Sequence, residues 1–292
     1  MSSRFPERRL ALALLVLVAL AGASVAAGQF RGALRVCADP NNLPFSNRRR
    51  EGFENRIAAV LADELHARLE YTWAPQWRGF IRKTIDAGRC DVIMGLPAAS
   101  DRVLTTRPYY VSTYVFLSRR DRGLRIRSLD DPALRQLRIG IHFVGDDYAN
   151  PPPAHALGRR GIVNNVVGYS LYGDYSKPNP PAELVHAAAR GEVDVAIVWG
   201  PFAGYFGARE RVPMTLTPVT PAVDPPGLRF AFPIAVGVRR DDPALRARLE
   251  AALQRRHTEV ERILRAYRVP LAGQGAGVAA VCPGSSKEAA CG

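Results

Sequence analysis

His142 stands beside Phe143 and shortly before Asp146 and Asp147, an imidazole with two carboxylates of the kind that can move a proton or hold a metal ion. No second His lies at ligand spacing, and the remaining histidines fall in helices or at helix ends, so a structural or polar-contact role outweighs catalysis. A second group suits recognition better than reaction. Asn41 and Asn42 carry amides that both donate and accept hydrogen bonds, and Phe45 follows with a ring that can stack on a ligand. Trp77 can wall a groove, Arg107 and Tyr110 offer a charge and a phenol, and Trp199 closes the apolar run VDVAIVW. Each has a plainer reading: asparagine supplies turn conformations, and buried tryptophan anchors packing. Asp39, His142 and Asp146 include no nucleophile with its base, so the set describes a binding surface with no catalytic residue, no metal and no cofactor.

These residues fall where strands should end. Leu34 to Ala38 reads as a strand, Gly52 to Leu69 as a helix with Ile57, Val60, Leu61 and Leu65 at helical spacing, and Glu70 to Trp73 as a second strand. Gly79 to Ala87 reads as a helix ended by Gly88, and Cys90 to Met94 as a third strand stopped by Gly95 and Pro97. The grammar then restarts, with strands at Leu137 to Ile141, Val163 to Tyr169 and Val193 to Trp199 and helices at Ala154 to Arg160 and Ala182 to Arg190. Alternation of this kind predicts an α/β chain of two lobes, each with its own small doubly wound sheet. Extended segments Ser112 to Arg119 and Leu228 to Val238 join them as a hinge, which makes the groove between lobes the default site. One helix is expected from Asp242 to Tyr267. Lobe limits follow: residues 28–120 with 226–270 for the first, 121–225 for the second, and a loose tail over 271–292.

The first 27 residues are expected to be removed. Arg4, Arg8 and Arg9 precede the apolar run Leu10 to Leu20 and the small residues Val25-Ala26-Ala27, the pattern of a secretory signal peptide. No second apolar run could span a bilayer, so the mature chain is expected in the periplasm without a transmembrane segment. In an oxidising compartment four cysteines can pair in three ways. Placement in one lobe favours Cys37 with Cys90, and placement in one tail favours Cys282 with Cys291. The net charge of +13 is carried almost wholly by scattered arginines, which suits an acidic partner or a merely solvated surface, and export argues against nucleic acid.

The stretches RVCADPNNLPFSN, GFENRIAAVLADEL, RCDVIMGLPAASDRVLTTRPYY and GEVDVAIVWGPFAGY resemble the family 3 (type II) periplasmic solute-binding proteins. With GDDYANPPPAHALGRRGIVNNVVGYSLYGDYSKPNPPAELV and LRFAFPIAVGVRR, the chain is similar to a narrower branch, the J proteins encoded with methanol dehydrogenases, over about Leu34 to Pro270. The resemblance implies a two-lobed Venus-flytrap fold in the periplasm and a non-catalytic role beside a quinoprotein methanol dehydrogenase, in its maturation or activation. The alternative is a receptor delivering a small polar solute to an ABC importer. Members that capture amino acids carry a Thr-Pro-Glu-Arg stretch whose arginine grips the ligand carboxylate. Here Ala99-Ser100-Asp101-Arg102 stands in its place, with a shortened distance to Pro108-Tyr109-Tyr110, so that clamp is expected to be missing.

Overall fold

The computed structural model describes residues 32–144 and 150–272. The signal peptide, Asp146, Cys282 and Cys291 therefore lie outside the described residues. In chain order the first half contains strands β1 (Ala33–Ala38), β2 (Asn41–Asn42), β3 (Ser46–Asn47), β4 (Arg68–Trp73), β5 (Val92–Pro97), β6 (Leu104–Thr105) and β7 (Tyr110–Arg119). After it come β8 (Ile139–Phe143), β9 (Val166–Ser170), β10 (Val195–Trp199), β11 (Met214–Pro218), β12 (Val223–Asp224), β13 (Leu228–Arg229) and β14 (Ala231–Val238). The helices are α1 (Phe53–Glu64), α2 (Phe80–Lys83), α3 (Pro152–Arg159), α4 (Glu183–Arg190), α5 (Gly200–Gly207), α6 (Pro243–Arg255) and α7 (His257–Ala266).

The main sheet runs β4-β1-β5-β14-β7-β10-β8-β9, with β6 on β14 and β11 on β7. β1 is parallel to β4 and β5, and β8 is parallel to β9 and β10, as right-handed crossovers require. Each lobe has its own sheet, as expected, and β7 belongs to both. Its residues Tyr110 to Thr113 pair with β14, and Tyr114 to Arg119 pair with β10 or β11, so one strand stitches both lobes into a continuous path. The segment read as a linker fills its backbone groups by joining both sheets, and at the crossing the Tyr114 N–H donates to the Phe230 carbonyl at 2.9 Å.

Each lobe keeps its own core. Phe53, Ile57 and Leu61 bury one face of α1 against Leu34 and Val36 of β1, with Leu249 and Leu264 covering them from α6 and α7. On the other side Leu184 and Ala188 of α4, with Phe202 and Phe206 of α5, pack on Leu117 and Val198, and a third cluster gathers Ile139, Ile141, Leu157 and Phe230. Cys37 and Cys90 form the expected disulfide, buried with Phe80 and Ile93 beneath the first lobe.

Several element boundaries depart from the sequence reading. Helix α2 stops at Lys83 because Thr84 leaves helical geometry, its hydroxyl donating back to the Phe80 carbonyl at 2.6 Å. The expected single C-terminal helix breaks at Arg256, whose guanidinium pairs with Asp63, Glu64 and Glu259. Strand β10 does not simply stop at Gly200-Pro201; those residues open α5, since a proline fits a first helical turn whose N–H needs no partner. Gly204 on that helix lies so near the Arg268 carbonyl that a Cβ would stand 1.9 Å from its oxygen. The start of the expected tail is docked: Leu271 packs on the first core, and the Ala272 N–H donates to the Val111 carbonyl at 2.9 Å.

Candidate functional site

Asp39 directly follows β1 almost wholly buried, and its carboxylate organises the loop it opens. Oδ1 accepts from the Asn41 N–H at 2.8 Å; Oδ2 accepts from the Gln76 N–H at 2.6 Å and from the Tyr175 hydroxyl of the opposite lobe. Buried beside this carboxylate, the Tyr175 phenol is pushed well above its ordinary range. The loop is fixed again by Asn55, whose Oδ1 accepts from the Asn47 and Gly52 N–H groups and so caps α1 from within its first turn.

That rigid loop reaches across to the other lobe. The Asn41 side-chain amide donates to the Lys177 carbonyl at 2.8 Å and accepts from the Asn179 N–H at 2.8 Å, while the Leu43 N–H donates to Asn179 Oδ1. Phe45 inserts its ring between Phe53 of the first lobe, at 5.3 Å, and Phe202 of the second, at 5.1 Å. Trp77 meets Tyr175 at 5.1 Å and Tyr172 at 6.5 Å. The lobes are thus closed on each other by three hydrogen bonds, one phenol-to-carboxylate contact and interlocked rings.

A cavity of about 420 Å³ remains between them, within the roughly 300–1,000 Å³ expected of small-molecule sites. Asn42, Phe45, Trp77, Tyr110, His142 and Trp199, six of the residues expected at the site, line it. His142 is buried, its Nε2 lies 2.9 Å from the Pro181 carbonyl, and burial pulls its pKa down to about 4. It is therefore a neutral ring donating that hydrogen bond, a positioning contact for the loop that carries Pro181. Trp199 stands between Tyr114 and Phe232 at 5.3 and 5.9 Å.

The other expected residues are placed elsewhere. Asn41 serves the lobe contact and does not line the cavity. Phe143 is 37% exposed and lines a separate surface hollow with Ile141 and Gly168, because alternation along β8 turns it away from His142. Arg107 is exposed on the approach to β7, its backbone N–H donating to Glu250. Arg102 lies outside as well, pairing with Asp86 at 2.6 Å.

Glu54 was not anticipated from the sequence. It sits in the first turn of α1, where its carboxyl group faces the cavity and folds over Gly95 of β5. Gly95 has φ +71°, and a Cβ there would stand 1.8 Å from Glu54 Oε1, so the glycine makes the room the acid occupies. Burial, reinforced by the charge on Asp39, pushes the Glu54 pKa up to about 8. No hydrogen bond or ion pair satisfies it among the described residues. The acidic residue two places after a glycine N-cap, in GFEN, was the available signal; Tyr172 and Tyr175 were signalled by the aromatic run GYSLYGDY.

Residues 34–268 match the bacterial extracellular solute-binding proteins of family 3. Protein MoxJ of Methylorubrum extorquens is 32% identical over 257 residues, covering 85% of each chain. Among solved structures, the periplasmic binding protein XoxJ of Methylobacterium extorquens AM1 superposes with a TM-score of 0.68 at 36% identity, covering 83% of this chain and all of that one. MxaJ of Methlophaga aminisulfidivorans gives 0.69 at 28% identity, over 82% of this chain and all of that one.

Proposed function

The chain belongs to the bacterial extracellular solute-binding proteins of family 3, and from that premise we propose that it is a non-catalytic periplasmic accessory factor of a quinoprotein methanol or alcohol dehydrogenase. It engages the enzyme or a small ligand through the interlobe cleft and aids maturation or activation of the enzyme. Its similarity to MoxJ, XoxJ and MxaJ along most of its length supports this reading. The observation that carries it over amino-acid import is the composition of the cleft. Among the described residues no arginine or lysine lines the cavity, and Arg102, at the position of the family's carboxylate clamp, is paired with Asp86 outside it. A ligand carboxylate placed beside Glu54 and Asp39 would meet acidic groups without a compensating cation.

We place the hinge where β7 changes partner, between Thr113 and Tyr114, and where β14 begins after Phe230. Asn42, Phe45, Trp77, Tyr110, His142 and Trp199 then contact the occupant from both lobes. The test is co-purification of the mature chain with a pyrroloquinoline-quinone methanol dehydrogenase, together with the activity of the enzyme with and without it. Association and a change in activity are expected. A chain that neither binds the enzyme nor alters its turnover, and whose melting temperature instead rises with a transported solute, returns the importer reading.

A further inference from the structure

We propose that the interlobe cleft takes a small organic cation, an ammonium group shelled in methyl or methylene carbons. The inference rests on the cleft being a binding site and is independent of the dehydrogenase partnership.

Three observations converge on this chemistry. The first is charge: among the described residues the cavity is lined by the carboxyl groups of Asp39 and Glu54 and by no lysine or arginine, while His142 is held neutral. The second is the state of the polar atoms. Asp39 already accepts three hydrogen bonds, but Glu54 has no partner among the described residues, and Asn42 Oδ1 is buried with none. Asn42 Oδ1 can only accept, and Glu54 becomes a pure acceptor once its proton leaves, so an occupant that presents donors or positive charge satisfies both. The third is the wall. Phe45, Trp77, Tyr110, Trp199, Phe202 and Phe232 surround the cavity, and aromatic faces attract an alkylated cation while excluding the water that would otherwise solvate it. A neutral apolar ligand would leave Glu54 unmet, and an anion would be repelled by the charge on Asp39.

The cation also has a linkage consequence. Among the described residues the ionisable groups facing Glu54 are Asp39, Tyr71, Tyr109 and Tyr110, and none of them carries positive charge. Without ligand, Glu54 holds its proton at neutral pH; a bound cation favours the ionised form and expels it. Affinity for a permanently charged ligand should therefore rise with pH, by up to about tenfold per unit, and level off above about pH 8.

Isothermal titration calorimetry on the mature chain tests the proposal with three probes of similar shape: choline, its neutral carbon isostere 3,3-dimethylbutan-1-ol, and glycine betaine. Choline should bind at least about tenfold more tightly than either of the others, with affinity climbing between pH 6 and 8. Glu54→Gln should weaken choline about tenfold and flatten its pH profile, and Trp77→Ala should weaken it without flattening the profile. Equal binding of the neutral alcohol, preference for glycine betaine, or no heat with choline at millimolar concentration overturns the proposal. Should the Glu54→Gln chain fail to fold, the pH series on the unaltered chain decides, a flat profile counting against. None of these outcomes bears on co-purification with the dehydrogenase, so the two readings fail separately.

Discussion

Replacing Glu54 by glutamine should change how the stability of the fold responds to pH, with a sign fixed by the cavity. In the folded chain Glu54 titrates near pH 8; in the unfolded chain it returns to the ordinary value of 4.5. Between those two values the folded state holds a proton that the unfolded state has released. The free energy of unfolding must then fall as pH rises, by about 1.4 kcal/mol per unit. The contribution of this group is fully present below pH 4.5 and lost as pH climbs through 8. Across that window the full effect would be about 5 kcal/mol, and water admitted to the cavity reduces it to roughly 2–3 kcal/mol. The assay is urea unfolding of the unaltered and Glu54→Gln chains at pH 5, 6, 7 and 8, taking the difference between the two so that every other titrating group cancels. Relative to the unaltered chain, the glutamine variant should gain stability steadily from pH 5 to 8. A difference independent of pH would mean that Glu54 is ionised in the folded state at pH 7 and paired by something else, and the account of the cleft would fall with it.

The remaining predictions address the supports of the site. Converting both Cys37 and Cys90 to alanine opens a covalent loop spanning 53 positions, so unfolding should become about 4 kcal/mol easier and the melting temperature should drop by roughly 10 °C; a melting temperature within about 2 °C of the unaltered chain would count against this. Asn41→Ala removes both side-chain hydrogen bonds that reach across to Lys177 and Asn179, about 2 kcal/mol in all. Hydrogen exchange in the peptide 171–179 should then quicken by up to about thirtyfold while β1 and β5 keep their protection; unchanged exchange there would mean that other contacts hold the lobes shut. Gly95→Ala introduces a Cβ into the space of Glu54 and a side chain at positive φ, costing about 1–2 kcal/mol and forcing the acid out of its pocket. Its pH profile of stability should resemble that of the glutamine variant, and retention of the unaltered profile would show that Glu54 finds another buried position.

How much of this could be read from the chain depends on the range of the forces involved. Strand β1, helix α1 and strand β8 came through within a few residues because burial on one face imposes a period, and the period is written locally in Leu34 and Val36, or in Phe53, Ile57 and Leu61. The rule that sites gather at strand ends picked Asn42, Phe45, His142 and Trp199 for the same reason, and all four line the cavity. It misplaced Phe143 because the rule selects a loop, whereas the alternation of β8 selects a face. Helix α5 was missed because Gly200 and Pro201, which end a strand in most contexts, also begin a helix when a neighbouring backbone needs to come close; here Gly204 admits the chain at Arg268, far away in sequence.

Glu54 exposes the deeper limit. On a helix wheel it is an ordinary first-turn acid, favourable there because it faces the positive end of the helix dipole, and nothing local distinguishes it from an exposed one. Its character comes from three distant decisions: a glycine at residue 95 that clears space, an Asp39 that spends its acceptors on Asn41, Gln76 and Tyr175, and a second lobe that closes aromatic rings over both. Local pattern therefore tells where a cleft will form and which residues rim it, while the chemistry of its interior belongs to pairings between residues that meet only when the lobes do. Cleft charge, more than cleft position, is what separates an occupant held by its carboxylate from one held by its cation. In this chain the cleft pairs the charge on Asp39 with one acid, Glu54, that has no partner among the described residues and at neutral pH ionises only when a cation draws its proton off.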